Sequence, residues 1–374
     1  MDDRHCMQLA IDLAARGLYT TSPNPRVGCV LVRGGRIIGR GYHVEAGAGH
    51  AEVNALADAG DATGATAYVT LEPCSHTGKT PPCSEALIAA GVARVVVAMT
   101  DPNPLVSGSG IVGLRQAGID VDVGVLEDRA RALNPGFIKR METGLPWVRV
   151  KLAMSLDGRT AMASGESQWI TGPAARSDVQ RLRARSCAVM SGVNTVIADN
   201  AALNVRAAEL GIASELAALA AKRQPLRVVL DSQLRLPAQA RVLSVPGETL
   251  VMAARDEPAA RRALEQAGAQ VMVIADDNGR VDLHKALQAL AAAQCNEVLL
   301  EAGPTLAGAL LTAGLVDQFT VYMAPTLLGS SARPLLQLPL ASMAQQRRLT
   351  IESISPVGED WRIDARPVDN LQAD

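Results

Sequence analysis

Three side chains pose the first chemical question: His50, within Gly49-His50-Ala51-Glu52, and the thiols Cys74 and Cys83 downstream. One imidazole and two thiolates make a three-ligand zinc set, which leaves a fourth position open to water or substrate. Two thiolates cancel the charge of the ion, and a zinc ion lowers the pKa of the water it binds to about 7. Glu52 is not needed as a ligand and is placed to shuttle protons as general acid/base. The expected result is hydrolytic loss of ammonia from an amino-substituted ring.

His-x-Glu alone is a weak signal. Followed by Pro73-Cys74 and by Cys83, it spells the grammar of zinc-dependent deamination. The spacing also constrains local structure. Inside a helix, residues i and i+2 point roughly 200° apart, so His50 and Glu52 converge only at a helix N-terminus, and Gly49 suits such a start. Cys83 follows Pro81-Pro82 and opens another helix, whose positive end favours the thiolate. His76 is the alternative: a fourth ligand that would close the site, or else a pocket residue beside Lys79.

Stepping outward, residues 4–17 carry apolar side chains at helical spacing, and 27–33 and 36–42 flank Gly34-Gly35 as a hairpin. Residues 50–60 read as helix, 67–71 as strand, 84–90 as helix and 94–99 as strand. This alternation implies an α/β layer with a mostly parallel sheet. Gly108-Ser109-Gly110-Ile111-Val112-Gly113 matches the dinucleotide fingerprint, which should open directly after a strand. Asp101-Pro102-Asn103-Pro104 intervenes, so it reads as a glycine-rich loop leading into a helix near 114–117. The charged run Lys139-Arg140-Met141-Glu142 before Gly144-Leu145-Pro146 reads as a linker, with domains at 1–145 and 146–374.

In the second half, 147–154 reads as a buried strand containing Lys151, either an edge or snorkelling residue or a ligand for something anionic. Residues 155–160 read as a turn, 165–171 as a polar loop around Trp169, 173–185 as a basic helix, 188–190 as a strand, and 194–198 as a turn into Asp199. Residues 207–223 read as an alanine-rich surface helix. Further strands are expected at 228–230, 250–253, 271–274, 298–300 and 319–323, making a second α/β domain. Glu301-Ala302-Gly303-Pro304-Thr305-Leu306-Ala307-Gly308 joins the fourth of these to a helix, and such a turn presents free N–H groups to a phosphate.

Composition narrows the classes. A chain of 374 residues points to two domains, and 48% hydrophobic residues fill two cores. A net charge of −2 and 2% aromatic residues speak against a nucleic-acid groove, which wants basic and stacking side chains. A nucleic-acid base deaminase is thereby disfavoured. Met1-Asp2-Asp3-Arg4-His5 shows no secretory pattern, and no run of about 18 apolar residues occurs, so no membrane span and a cytoplasmic location are expected. Cys6, Cys29, Cys187 and Cys295 read as core thiols.

Pro23-Asn24-Pro25-x-Val27-Gly28, His50-Ala51-Glu52 and Thr70-Leu71-Glu72-Pro73-Cys74-Ser75-His76-x-Gly78-Lys79-Thr80-Pro81-Pro82-Cys83 together resemble the bifunctional riboflavin-biosynthesis deaminase-reductases. Eight residues separate the cysteines, as is typical of this branch and unlike the generic Cys-x-x-Cys deaminases. The second half continues the resemblance through Lys151-Leu152-Ala153-x-Ser155-Leu156-Asp157-Gly158, Gly165-Glu166-Ser167-x-Trp169-Ile170-Thr171, Asp231-Ser232 and Glu301-Ala302-Gly303-Pro304-Thr305. It implies an N-terminal cytidine-deaminase-like α/β/α domain that removes the 2-amino group of 2,5-diamino-6-ribosylamino-4(3H)-pyrimidinone 5′-phosphate. It further implies a C-terminal dihydrofolate-reductase-like domain in which NADPH reduces the ribosyl group to ribityl.

On matching positions, NADPH contacts would be Ala153, Trp169, Thr195, Asp199, Ser232 and the turn Gly303, Pro304, Thr305, Leu306, Ala307, Gly308 and Ala309. Substrate contacts would be Ser167, Arg183, Leu203, Arg206 and Glu301, with Arg183 and Arg206 suited to the 5′-phosphate. Lys151 and Asp199 would assist proton movement as the sugar ring opens, and a homodimer is expected. The chain departs from the pattern at Asn200-Ala201, where Asp-Pro is usual, and a looser loop is expected there. Ala153 stands where glycine is frequent.

Overall fold

A computed structural model describes residues 1–75, 82–104 and 106–368, and the chain divides into two compact units, Met1–Leu145 and Pro146–Asp374. The first runs α1 (Asp3–Ala15), β1 (Gly28–Arg33), β2 (Arg36–Tyr42), α2 (Ala51–Ala59), β3 (Thr66–Val69), α3 (Cys83–Ala89) and β4 (Arg94–Val97). It continues through α4 (Ser109–Gln116), β5 (Asp120–Val123), α5 (Glu127–Leu133) and α6 (Pro135–Thr143).

The strand order is β2-β1-β3-β4-β5. Pairing is antiparallel across β2, β1 and β3 and parallel across β3, β4 and β5. The sheet is therefore mixed rather than mostly parallel. The tight turn sets the first of these pairings: Gly34 and Gly35 both take positive φ, 56° and 73°, which folds β2 straight back along β1. Both faces of β1 are buried, which explains its unbroken apolar run. Cys29 and Leu31 pack in one cluster with Ala51, Ala55 and Leu87, while Val30 and Val32 pack in another with Met7, Ala10 and Phe137. Helices thus cover the sheet on both sides, an α/β/α sandwich.

The stretch read as a linker is helical. Phe137 and Ile138 of α6 are buried in the core, and the Asn134 side chain brackets Arg26, accepting from its N–H at 2.8 Å and donating to its carbonyl at 2.9 Å. Charged residues at 139, 140 and 142 form the outward face of this helix, and only Gly144-Leu145-Pro146 remain as a connection.

The second unit runs β6 (Trp147–Ser155), β7 (Arg159–Ala161), α7 (Pro173–Arg185), β8 (Ala188–Gly192), α8 (Val193–Asp199), α9 (Ser214–Lys222) and β9 (Leu226–Leu230). Then follow α10 (Arg241–Ser244), β10 (Thr249–Ala253), α11 (Pro258–Gln266), β11 (Ala269–Val273), α12 (Leu283–Ala292), β12 (Glu297–Glu301) and α13 (Pro304–Thr312). Last come β13 (Gln318–Ala324), β14 (Arg333–Pro334), β15 (Leu349–Val357) and β16 (Asp360–Pro367).

Nine strands order β11-β10-β9-β8-β12-β6-β13-β16-β15. All are parallel from β11 to β13, and the last two pairings are antiparallel. The turn expected over 194–198 is helix α8: Val193 and Val196, one turn apart, are both buried, and that packing overrides the weak helix propensity of β-branched residues. The single helix expected over 207–223 is a 3-10 turn (Ala207–Glu209) and α9, parted at Gly211 with φ 62°. Lys151 is no edge residue, because β6 is paired on both sides, to β12 and β13.

Candidate functional site

His50 is the N-cap of α2, with φ −72° and ψ 167°, so its backbone is extended while Glu52 already lies in the first helical turn. That half-in geometry lets two residues at i and i+2 face one place. Cys74 follows β3, and Cys83 is the first residue of α3. His50 Nδ1 lies 3.2 Å from Cys83 Sγ and 3.6 Å from Cys74 Sγ, and the three ligand atoms all fall within 4.8 Å of one another.

These separations test the metal reading. The edges of a tetrahedron with Zn–S of about 2.3 Å and Zn–N of about 2.0 Å come to roughly 3.5 Å, so the donor set fits a zinc ion. Among the described residues no fourth His, Cys, Asp or Glu joins the group. His76 and Lys79 lie outside the described residues.

Electrostatics differ sharply within the cluster. Glu52 is 3% exposed, and burial pushes its carboxyl up to about 7, a value suited to taking and returning a proton near neutrality. Cys74 is the thiolate of the pair, held down at about 4 by the Cys83 thiol that bonds to it, and helped by the His50 ring and the Cys83 N–H at 3.3 Å. Cys83, as the donor in that bond, is pushed up, and His50 is raised by its bond to Cys74.

A supporting shell holds these groups. His43 meets His50 edge-on at 5.4 Å between ring centroids. Its Nδ1 lies 3.1 Å from the Gly49 carbonyl and its Nε2 3.1 Å from Asn24 Nδ2, an arrangement that suits a neutral ring, and burial lowers its pKa. Asn54 Nδ2 donates to the carbonyls of Tyr42 and Gly49 at 2.9 and 3.2 Å, fixing the turn before His50.

The glycine fingerprint finds its use here. Glu72, 3% exposed, accepts four backbone N–H groups: Asp101 at 3.1 Å and Gly108 at 2.9 Å on Oε2, and Gly110 at 2.9 Å and Ile111 at 3.3 Å on Oε1. The N-terminus of α4 therefore cradles the protein's own carboxylate in place of a nucleotide phosphate. A Cβ on Gly110 would sit 2.0 Å from the Pro73 carbonyl oxygen, so only glycine lets α4 lie against the segment that delivers Cys74. Nothing in the sequence singled out His43 or Asn54, and Asn24 and Glu72 were visible only inside the family motif, with no sign of the partners they take in the fold.

In the second unit a cleft of about 1610 Å³ opens along the sheet. Ala153 lines it from β6, Ser167 and Trp169 from the loop between β7 and α7, Arg183 from α7, and Thr195 and Asp199 from α8. Leu203, Arg206 and Ser232 line it from loops, and Glu301, Gly303, Pro304, Thr305, Leu306 and Ala309 from β12 and α13. Ala307 and Gly308 do not line it. Successive helical residues turn by about 100°, which carries Ala307 into the core at 0% exposed and sets Gly308 against the backbone of Gln337.

Arg183 is already committed. Its Nε and Nη2 donate to Glu301 at 2.6 and 2.9 Å, and its Nη1 to the Asn204 carbonyl at 3.0 Å. These bonds hold the Glu301 carboxylate in place. Arg206 pairs with Glu209 at 2.6 Å through Nη2, but its Nε has no partner among the described residues. Lys151, cross-strand partner of Glu301, has its pKa lowered by burial, with Glu301 opposing the shift. Burial raises Asp199, with Lys151 opposing.

Trp169 is 70% exposed, and the Arg176 guanidinium lies 4.6 Å over its ring. The loop expected to be slack at Asn200-Ala201 is pinned. Val205 N–H donates to Gln224 at 2.8 Å, Arg206 N–H donates to Gln180 at 3.1 Å, and Leu203 is buried. Asn200 takes the left-handed φ of 43° that asparagine tolerates.

Each unit matches a known family. Residues 146–363 match the RibD C-terminal domain, and residues 1–99 match the cytidine and deoxycytidylate deaminase zinc-binding region. Over 363 residues the chain is 53% identical to the riboflavin biosynthesis protein RibD of Escherichia coli (strain K12), spanning 96% of this chain and 98% of that protein. It is 48% identical to the Haemophilus influenzae RibD, spanning 96% of each. Among solved structures, Acinetobacter baumannii RibD superposes with a TM-score of 0.90 at 50% identity, covering 98% of this chain and 99% of that one. A Thermotoga maritima diaminohydroxyphosphoribosylaminopyrimidine deaminase/5-amino-6-(5-phosphoribosylamino)uracil reductase superposes with a TM-score of 0.84 at 31% identity, with the same coverage.

Proposed function

Because the chain belongs to the RibD family of bifunctional riboflavin-biosynthesis enzymes, we propose how its own residues divide the two reactions. The enzyme deaminates 2,5-diamino-6-ribosylamino-4(3H)-pyrimidinone 5′-phosphate with zinc, then reduces the ribosyl group with NADPH to give 5-amino-6-ribitylamino-uracil 5′-phosphate. Residues 1–145 form the deaminase domain and 146–374 the reductase domain.

In the first, His50, Cys74 and Cys83 hold the zinc ion, whose contribution is to acidify the attacking water. Glu52 accepts that water's proton and passes it to the departing 2-amino group, so ammonia leaves as a neutral molecule. Its burial supports both halves of this exchange, since neither protonation state is strongly favoured near pH 7. His43 and Asn54 keep the turn before His50 rigid. The observation that carries the reading is the convergence of three ligand atoms within 4.8 Å beside a buried carboxylate.

In the second domain, NADPH supplies a hydride to sugar C1′. Opening the furanose ring needs a proton at the ring oxygen, and Lys151 and Asp199, shifted towards each other's range by burial, are the pair suited to move it. Glu301, held by Arg183, orients the substrate. Arg206 is the guanidinium still able to take the 5′-phosphate. The sheet ends in β15, whose Ile351 and Ile354 are 57% and 55% exposed, and an apolar edge of this kind is normally covered. A homodimer formed through the reductase half covers it. No helix among the described residues is long and apolar enough to cross a membrane, all six cysteines are free, and the cytoplasm is the compartment proposed.

Glu52→Gln tests the division. Ammonia release should fall at least a thousandfold, bound zinc should stay at one per chain, and NADPH oxidation with the deaminated pyrimidine should continue. Ammonia release at more than a tenth of the parent rate would remove Glu52 from the mechanism.

A further inference from the structure

The segment Trp169-Ile170-Thr171 lines the reductase cleft and runs straight into α7. Gly172, the N-cap of that helix, has no side chain with which to cap it, and Pro173 after it has no N–H. The Gly172 N–H donates instead to Asp360 Oδ2 at 2.7 Å, across 188 residues of sequence. Asp360 is the first residue of β16 and is buried. A carboxylate at this place also meets the positive end of a 13-residue helix.

The same strand grips α7 again further along. Side chains alternate along a strand, so Asp360, Arg362 and Asp364 share one face of β16, and α7 lies on it. Arg362 Nη1 and the hydroxyl of Tyr322, its cross-strand partner on β13, donate to Asp178 Oδ2 at 2.9 and 2.5 Å. Asp364 holds that guanidinium in turn, accepting from its Nε at 2.9 Å and its Nη2 at 3.1 Å. In the turn between β15 and β16, a Cβ on Gly358 would lie 2.8 Å from Ala174 Cβ, so the hairpin tip rests on the first turn of α7.

Arg176 carries this fixation to the cleft. Its N–H donates to the Gly172 carbonyl at 3.2 Å and its Nη1 to the Thr171 carbonyl at 3.0 Å, while its guanidinium lies 4.6 Å over the Trp169 ring. The indole is exposed, so its place in the cleft is set by this chain of contacts and not by burial. Loss of the Asp360 acceptor would leave the Gly172 N–H to water and give the preceding segment freedom that a ligand must then remove on binding.

We propose that Asp360 is a positioning residue for NADPH: by fixing the start of α7 it holds Trp169 where the cofactor meets it. The assignment rests on the NADPH reading above. The outermost hairpin of the sheet thus belongs to the cofactor site, although none of its described residues lines the cleft.

Steady-state oxidation of NADPH by the full-length protein, with the deaminated pyrimidine as substrate, tests the proposal. Asp360→Ala should raise the KM for NADPH roughly ten- to thirtyfold and leave kcat within about threefold. Asp360→Asn, nearly isosteric and still offering an acceptor oxygen, should raise it only about three- to fivefold. A purely structural role lowers kcat through loss of folded enzyme and leaves that KM in place. The cycle is closed on kcat/KM, which stays measurable when binding is weak: in a Trp169→Ala background neither change at 360 should alter it by more than about 1.5-fold. An equal effect with and without Trp169, or an unchanged KM in both variants, would overturn the proposal. If the parent protein oxidised no NADPH with this substrate, the NADPH reading itself would fall first, so the two failures are distinguishable.

Discussion

Exchanging Glu72 for glutamine preserves shape and removes one charge, yet it should disable the deaminase. The carboxylate accepts four backbone N–H groups, two on each oxygen. Glutamine keeps one acceptor oxygen and turns an NH2 towards the other two donors, so two bonds are lost and two become neutral. A hydrogen bond to a charged partner contributes about 1.5–3 kcal/mol, which puts the expected loss at roughly 3–6 kcal/mol. A domain has only ~5–15 kcal/mol in total. The segment that loosens is Glu72-Pro73-Cys74, which carries one of the three proposed zinc ligands. Chelator competition should therefore show weaker zinc retention, and calorimetry an earlier transition of the first unit. NADPH oxidation with the deaminated pyrimidine should be spared. A Glu72→Gln protein that melts and holds zinc like its parent would refute the argument that this cradle needs a charged acceptor.

Other outcomes follow from the second unit. Arg183→Ala leaves the Glu301 carboxylate buried without its partner, which costs about 3–5 kcal/mol; denaturant melts should show it, and Arg183→Lys should recover little because lysine lacks the two-pronged geometry. Gly308→Ala places a Cβ 2.1 Å from the Gln337 carbonyl oxygen, so α13 must move. Overpacking of that kind destabilises by about 1–3 kcal/mol, and the NADPH Kd should rise while ammonia release is unchanged.

How much of this was visible in the chain itself depends on the range of the forces involved. His50 and Glu52 were legible because a helix start is a local event, readable from Gly49 and the helical period. The hairpin at Gly34-Gly35 was legible for the same reason. The direction of β3 against β1 was not, since it is set by where α2 crosses the sheet. The charged run at 139–142 reads as a linker, yet it ends helix α6, whose apolar Phe137 and Ile138 declare themselves only when Asn134 bonds back to Arg26. β15 and β16 carry buried Asp360 and Asp364 beside exposed Ile351 and Ile354, an inversion of the pattern that marks a strand. The bond from Arg183 to Glu301 was not legible, because its partner lies 118 residues away along the chain. The glycine fingerprint reads as a plain loop before a helix, and its role as an anion cradle was not legible because the occupant, Glu72, lies 36 residues away along the chain.

Lys151 and Glu301 are partners across β6 and β12, on strands that run the same way. Side chains alternate between the faces of a sheet, so sliding either strand by a single residue would rotate one member of the pair out of the cleft. The reductase centre proposed here is in this sense phase-locked to the sheet's hydrogen bonding. An insertion or deletion early in β12, distant from every reacting atom, should silence reduction while sparing each residue that performs it.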